Sequence, residues 1–532
     1  MVRRIILGMS ETQGTGGRRI PRPIPFHPLL FVVYPALFLY SQNLGEVGPS
    51  EVVGPLVVLG LVALAALAGL SLVFGDPRRA AIVVSVFAIG MLTYGFVDTA
   101  LAIPGWLQQI VWIVLMVGSV LVAIRIKDRL PTLTTALNGV SAVLVGLTLI
   151  AIVPHAAATV GGVSPGTSPA PSAGTAPTRG STAGAKPRDI YWIVLDRYGS
   201  SRALDVGFKI VDNDFYGWLA EHGFAVNADS HANYVKTSLS MASTLRMDFL
   251  DDIATRMGKD SDDHQPVFDV FQDPPAGRFL KDRGYRYIHI GSYYSPTRSS
   301  KLADENLHVS SASDFAAALY DYSALPAISR RLGLTDSAPL RERHRANALF
   351  DFDTLEHVRA EPGPKFVMAH VLMPHPPYVF KSDGTFVADE STPGGATFAS
   401  QLAYTNARMK ALLEPLLALP EADRPIIVVQ ADEGPYPTRY ARDTIGFDWS
   451  TATAAELETK YGILNAMYLP GLPAGKTLPY PTISSVNTFR LLFDDYFDAN
   501  LPLLPDRSFT SRGKFRPYDM TEITGRLPTL PH

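Results

Sequence analysis

Three carboxylates stand at the ends of apolar runs and are the most reactive pattern in this sequence. Asp432 and Glu433 are adjacent and follow PIIVVQA (425–431), and Asp196 closes the run DIYWIVLD (189–196). Carboxylates that cluster in a buried place must be protonated, paired with cations or bound to a metal ion. No Lys or Arg directly flanks Asp432 or Glu433 in the sequence, so a divalent metal ion is the natural partner, unless a Lys or Arg distant in the chain folds in beside them. The alternative is that each acid only caps a turn or helix at a strand end.

A second reactive group is the hydroxyl of Thr237 in NYVKTSLSMASTLRMDFL (233–250). From Ser238 onward this segment has helical spacing, which places Thr237 at the positive end of a helix dipole. If the hydroxyl also touches a divalent ion, its proton is easier to remove and the oxygen becomes a nucleophile. The alternative is that Thr237 is only an N-cap. Lys236 beside it is either a solvated lysine or a partner for phosphate charge.

The elements around these residues predict an α/β domain over 188–532. Short, nearly continuous apolar runs at 189–196, 285–292, 365–374, 425–432 and 463–471 alternate with helical patterns. This alternation is typical of a mainly parallel sheet covered on both faces by helices. Ligands of such sheets bind at the carboxyl ends of the strands, where Asp196 and Asp432 would stand.

The N-terminal part of the chain has the composition of a membrane domain. Five apolar runs lie at 28–43, 52–74, 80–97, 105–124 and 134–154. A bilayer needs about 20 apolar residues per helix, so the runs predict about five transmembrane helices. Lys and Arg occur before the first run and in alternate loops, which predicts a cytoplasmic N-terminus and an outer domain after the fifth span.

Composition sets further bounds on the function. The net charge of -3 gives no case for nucleic acid, and the absence of cysteine excludes a thiolate metal site or a cysteine nucleophile. The segment 158–187 is rich in Gly, Ser, Thr, Pro and Ala and is typical of a flexible linker. The predicted organisation is therefore a transmembrane domain (1–157), a linker (158–187) and an extracytoplasmic domain (188–532).

Four motifs, taken in order, resemble the alkaline phosphatase and sulfatase superfamily. They are DIYWIVLDRYGS, YVKTSLSM, AHVLMPHPPYVF and VVQADEGP. The sequence is most similar to the membrane-anchored sulfatase-like branch, which includes lipoteichoic acid synthases and phosphoethanolamine transferases. The resemblance implies an alkaline-phosphatase-like domain in which Asp196, Thr237 and Asp432 bind one divalent metal ion. It also implies that Thr237 forms a covalent intermediate and that His375 faces the transferred group.

The sequence departs from the motif of this superfamily at Glu433, where the resemblance leads one to expect a ligating histidine. An oxygen-rich site containing Glu433 would favour Mn²⁺, Mg²⁺ or Ca²⁺ over Zn²⁺, and three carboxylates around one ion would weaken its Lewis acidity. Sulfatase chemistry itself is excluded, because formylglycine forms from Cys or Ser and Tyr294 occupies that place in YSPTR (294–298). Tyr294 and Arg298 are predicted either to line a pocket for an anionic group or to form a surface loop. His289 lies inside an apolar strand, and His370 would point to the face opposite His375 if the strand continues, so both are predicted to have structural roles.

The sequence thus predicts a membrane-anchored, metal-dependent phosphotransferase or phosphodiesterase of the bacterial inner membrane with its catalytic domain on the periplasmic side. The expected partners are a membrane lipid or polyprenyl-linked donor and a glycan, lipid or water acceptor, with Mn, Mg, Ca or Zn as the cofactor. The alternative is a catalytically inactive relative that binds or scaffolds glycan or lipid assembly.

Overall fold

The computed structural model describes residues 23–45, 47–101, 105–126, 128–161, 186–309, 314–332, 339–389, 394–444, 446–472, 475–476, 479–512 and 516–528. Most of the predicted linker, from 162 to 185, lies outside the described residues. The chain divides into two compact units, one formed by 1–38 with 56–151 and the other by 39–55 with 152–532. The domain boundaries at 157 and 187 stay predictions.

All five apolar runs of the N-terminal region are helical. The helices are α1 (His27–Ser41), α2 (Pro49–Phe74), α3 (Pro77–Leu92), α4 (Tyr94–Leu101), α5 (Gly105–Arg125) and α6 (Leu130–Gly161). By length and composition, three segments within them could cross a membrane, namely Pro49–Phe74, Leu107–Arg125 and Leu130–Pro154. The third run is divided at Thr93 into α3 and α4, and α1 has only 15 residues. The apolar helical region is confirmed, and the number of five spans stays a prediction, since three candidates were found among the described residues.

Many apolar side chains of the long helices point outward, as expected of helices that face lipid. In α2, Leu61 is 61% exposed and Leu72 is 87% exposed. A helix that is apolar on all sides and is not packed into a protein core is typical of a membrane span.

The second unit contains a seven-stranded, mainly parallel sheet, which confirms the predicted fold class. The strands are β1 (Ile190–Leu195), β2 (Ala225–Val226), β3 (Arg286–Ile290), β4 (Glu305–Leu307), β5 (Lys365–Val371), β6 (Ile426–Gln430) and β7 (Asn465–Tyr468). Their order is β2-β7-β6-β1-β5-β3-β4. The strands from β6 to β4 are parallel, whereas β7 and β2 form an antiparallel edge. A separate antiparallel pair joins β8 (Phe509–Ser511) and β9 (Met520–Glu522).

The chain after residue 186 contains thirteen described helices, several of which pack on the two faces of the sheet. They are α7 (Ser201–Phe208), α8 (Asp214–Glu221), α9 (Thr237–Arg246), α10 (Asp251–Met257), α11 (Gln265–Gln272), α12 (Pro275–Lys281), α13 (Asp314–Asp321), α14 (Leu325–Arg331), α15 (Pro339–Val358), α16 (Phe398–Leu417), α17 (Thr438–Arg442), α18 (Ala454–Tyr461) and α19 (Thr488–Phe497).

The central strand β1 shows why the sheet sits between two cores. Tyr191, Ile193 and Leu195 pack into the core that also contains residues of α15 and α16. Ile190, Trp192 and Val194 point to the opposite face and pack with residues of α9 and α19. Successive side chains of a strand alternate between faces, so a strand covered on both sides is apolar throughout. The end of β1 is therefore a rigid place from which to present a polar side chain.

Candidate active site

The carboxyl ends of the three central strands bring together two carboxylates and a histidine. Asp196 follows β1, Asp432 follows β6, and His370 is the penultimate residue of β5. All three are buried, and one potential ligand atom from each lies within 4.8 Å of the others. The strands place them there because β1 lies between β5 and β6 in the sheet, with Val194 in register with both His370 and Gln430.

These three side chains fit a divalent cation. Asp196 Oδ1, Asp432 Oδ2 and His370 Nε2 are buried and have no hydrogen-bond partner among the described residues. His370 Nε2 lies 3.5 Å from Asp196 Oδ2. Buried polar atoms almost always have partners, so three that converge without one indicate a missing cation. Two carboxylate oxygens and one imidazole nitrogen suit Zn²⁺ or Mn²⁺ better than Ca²⁺, which prefers a shell of oxygens alone.

His370 is oriented for this role by two hydroxyl groups on its other ring nitrogen. Thr297 Oγ1 lies 2.7 Å and Ser292 Oγ lies 3.3 Å from Nδ1. Metal-binding histidines are usually held in this way, with the outer nitrogen in a hydrogen bond and the inner one facing the ion. The contacts therefore favour a ligand role over the structural role that the sequence analysis assigned to His370.

Thr237 joins the same group from a different element. It is the first residue of α9 and lines the same cavity as Asp196, and its side chain acts to lower the pKa of Asp432, against the larger opposite effect of burial. Lys236, which precedes it, has extended backbone geometry, and its side chain does not cap the helix. The predicted convergence of Thr237 with Asp196 and Asp432 agrees with this arrangement.

The two aspartates respond oppositely to their surroundings. Burial, together with the charges of Asp196 and Glu433, raises the pKa of Asp432 well above its ordinary value. Burial also opposes ionisation of Asp196, but His375, His370 and Arg197 lower its pKa below the ordinary value. Two carboxylates this close share one proton unless a cation replaces it. A divalent ion is the cation that would allow both to ionise.

The Glu433 carboxylate contacts two positively charged side chains that are not adjacent to it in the sequence. Its Oε1 lies 2.7 Å from Lys460 Nζ and 3.3 Å from Arg197 Nε. Lys460 and Glu433 are almost fully buried, and burial lowers the pKa of Lys460 to about 8. Oε1 of Glu433 thus has positive partners of its own, whereas its Oε2 is buried without a hydrogen-bond partner among the described residues. The predicted ligand role of Glu433 stays a prediction and is tested below.

A cavity of about 270 Å³ opens beside this group. Of the residues predicted to bind substrate, Lys236, His375 and Tyr294 line it, together with Asp196, Thr237, Arg197 and Glu433. Arg298 is not among the lining residues. It directly follows the short 3-10 turn Ser295–Thr297. Burial and the nearby Arg197 lower the pKa of His375 to about 3, so His375 is neutral at neutral pH.

Three residues of the site were missed by the sequence analysis. His370 has a detectable signal, because it lies near the carboxyl end of a predicted strand, as Asp196 and Asp432 do. Arg197 immediately follows Asp196 and could have been noticed for that reason. Lys460 lies at the end of α18, 27 residues after Glu433, and nothing in its local sequence points to the site.

Comparisons with known proteins gave structural matches only. No family profile and no curated protein matches the sequence. The C-terminal periplasmic domain of EcEptC from Escherichia coli is 14% identical, with a TM-score of 0.40, over 65% of this chain and 95% of that chain. The integral membrane lipooligosaccharide phosphoethanolamine transferase A from Neisseria meningitidis is 13% identical, with a TM-score of 0.36, over 87% of this chain and 94% of that chain.

A protein of the alkaline phosphatase superfamily from Vibrio parahaemolyticus is also similar. It is 11% identical, with a TM-score of 0.38, over 64% of this chain and 76% of that chain. Because fold does not determine chemistry, the activity of this chain has to be argued from its own residues.

Proposed function

We propose that this chain is a membrane-anchored, metal-dependent phosphotransferase or phosphodiesterase of the cell envelope. The observation that carries the proposal is the position of Thr237, which begins α9 and lines the same cavity as Asp196, beside His370 and Asp432. A hydroxyl placed beside a cluster of potential metal ligands is the arrangement of an activated nucleophile.

Asp196, His370 and Asp432 would hold the metal ion, with the Thr237 oxygen next to it. The ion would make the Thr237 hydroxyl more acidic and would attract the charge of the phosphoryl group. The positive end of the α9 dipole stabilises negative charge on the Thr237 oxygen in the same way. Asp432, whose pKa Thr237 acts to lower, would orient the hydroxyl.

In the first step Thr237 Oγ forms a bond to phosphorus, and the bond between phosphorus and the donor's alcohol oxygen breaks. The proton lost by Thr237 ends on the departing alcohol. In the second step an acceptor hydroxyl or water forms a bond to the same phosphorus, the bond to Thr237 Oγ breaks, and the acceptor's proton restores the threonine hydroxyl. His375 lines the same cavity as Thr237 and would face the transferred group.

A lipid or polyprenyl-linked donor is proposed for two reasons. The chain carries helices that are long and apolar enough to cross a bilayer, so membrane lipids would be the phosphodiesters closest to the protein. The loop charges predict that the outer domain lies on the extracytoplasmic side, where envelope glycans and lipids would be the acceptors.

The test uses the detergent-solubilised full chain and a generic phosphodiester in Mg²⁺, Mn²⁺ or Zn²⁺. Thr237→Ala is expected to abolish metal-dependent hydrolysis, because the nucleophile is lost. Thr244→Ala is the matched control: this hydroxyl lies in the same helix but donates to the Ser240 carbonyl, and activity should persist. Intact mass after incubation with membrane lipids should show an adduct on the wild type that Thr237→Ala lacks. Turnover that survives Thr237→Ala unchanged would refute the proposed nucleophile.

A further inference from the structure

Arg197 occupies a backbone conformation that an arginine seldom adopts. Its φ is 64°, in the left-handed region that favours glycine. Its backbone N–H donates to Asp432 Oδ1 at 3.1 Å, so the unusual conformation ties the end of β1 to the end of β6. Glycine would make the same backbone bond with less strain. The presence of arginine therefore indicates that its side chain has a use at this position.

The Arg197 side chain is held in place but its terminal groups are available. Its Nε lies 3.3 Å from Glu433 Oε1, and its guanidinium carbon lies 3.4 Å from the centre of the Tyr436 ring. The side chain is 10% exposed, and Arg197 lines the same cavity as Thr237. Its two terminal amino groups make no hydrogen bond with any of the described residues. A guanidinium that is nine-tenths buried and turns its free fork into a cavity is suited to bind an anionic ligand.

The charges of the site agree with such a ligand. Asp196, Asp432 and Glu433 bring three negative charges, and Arg197 and Lys460 bring two positive charges. With a divalent ion the site would carry one net positive charge, which suits the oxygens of a phosphoryl group. Because Lys460 and Arg197 neutralise Glu433, this third carboxylate would not weaken the Lewis acidity of the metal ion toward phosphate.

We propose that Arg197 binds the non-bridging oxygens of the phosphoryl group that Thr237 attacks, and that Glu433 and Lys460 are the support that fixes its guanidinium. The planar fork of arginine matches two phosphate oxygens, and its charge does not depend on pH in the working range. Glu433, where the superfamily motif has histidine, thus orients an arginine on the substrate side of the site. This inference rests on the proposed phosphotransferase function.

The test measures two affinities of the full chain by calorimetry, that of Mn²⁺ and that of inorganic phosphate in the presence of Mn²⁺. Arg197→Gly removes the side chain and relieves the positive φ, so the variant should fold. Arg197→Gln keeps the bulk, and Lys460 remains as a partner for Glu433 in both. We expect phosphate affinity to fall about 10- to 100-fold in both variants, with the affinity for Mn²⁺ changed by less than about 3-fold.

Two further variants complete the design. Arg197→Lys should lose about half of the effect on the logarithmic scale, because the charge stays and the fork is lost. Arg439→Gln removes an exposed arginine paired with Glu456 and should leave both affinities unchanged.

The inference is overturned if Arg197→Gly binds phosphate as tightly as the wild type, if the wild type binds no phosphate, or if Mn²⁺ and phosphate affinities fall together. Failure of the wild type to bind Mn²⁺, Mg²⁺ or Zn²⁺ would instead refute the proposed function, and phosphate binding without metal would then still report on Arg197.

Discussion

The buried pair between Lys460 and Glu433 provides a test of what Glu433 does. The two side chains are 0% and 2% exposed, and their charged atoms lie 2.7 Å apart. In Lys460→Met the Glu433 carboxylate keeps only Arg197, at 3.3 Å, as a partner. Breaking a buried ion pair from one side costs about 3–5 kcal/mol. Because Arg197 remains, we expect the lower end of this range, about 3 kcal/mol.

The surface offers a matched control. Lys410 Nζ also lies 2.7 Å from a carboxylate oxygen, that of Asp214, but the Asp214 side chain is 78% exposed. Such pairs contribute about 0–1 kcal/mol, so Lys410→Met should change the stability little. For a domain of this size about 1 kcal/mol corresponds to about 2 °C in melting temperature. Thermal unfolding followed by tryptophan fluorescence should then show a fall of about 6 °C for Lys460→Met and less than about 2 °C for Lys410→Met.

A double variant and the affinity for Mn²⁺ further test the role of Glu433. Adding Glu433→Gln to Lys460→Met removes the uncompensated charge and should recover part of the lost stability. Glu433→Gln alone should leave Mn²⁺ affinity within about 3-fold of the wild type, since the carboxylate is already paired. A melting temperature of Lys460→Met equal to that of the wild type would refute the role of the ion pair. A fall in Mn²⁺ affinity of about 100-fold or more in Glu433→Gln would restore Glu433 as a ligand.

Three other predictions follow from the same structure. Thr297→Val removes the hydroxyl 2.7 Å from His370 Nδ1 and should lower metal affinity about 10-fold with little change in melting temperature, as measured by calorimetry and thermal unfolding. Burial lowers the pKa of His289 to about 4, so between pH 6.5 and 4 the unfolded chain binds a proton that the folded protein does not. The free energy of unfolding should therefore fall as the pH drops from about 6.5 to 4. In denaturation experiments, His289→Gln should reduce this pH dependence by up to about 1.4 kcal/mol per pH unit. A reporter that works only outside the cytoplasm should be active when it is fused after residue 190. Activity at this position of a reporter that works only in the cytoplasm would contradict the predicted topology.

The fold class could be predicted because it depends on patterns that are local in the sequence. The five predicted strands at 189–196, 285–292, 365–374, 425–432 and 463–471 correspond to β1, β3, β5, β6 and β7. Their nearly continuous apolar character follows from burial on both faces, and long apolar runs predict the helical N-terminal region in the same way. The antiparallel arrangement of β7 was not visible, because strand direction depends on how the chain returns to the sheet.

The site was predictable only where its residues come directly after an element whose position the pattern reveals. Asp196 and Asp432 close apolar strands and Thr237 begins a helix, and strands of a parallel sheet expose their ends on one edge. His370 was predicted to be structural because it lies five residues before His375, which would put the two side chains on opposite faces of a continuing strand. Alternation along one strand does not tell which residues of the neighbouring strands a side chain will meet.

By itself, then, the sequence determined the apolar helices, the α/β sheet and the three residues that converge from strand and helix ends. Only the tertiary structure decided the partners of the buried charges. Lys460 reaches Glu433 because α18 packs back toward the end of β6, and Arg197 reaches it because β1 and β6 are neighbours. Charge pairing depends on distances of 3–4 Å between residues far apart in the chain, and such distances are set by packing and not by local pattern.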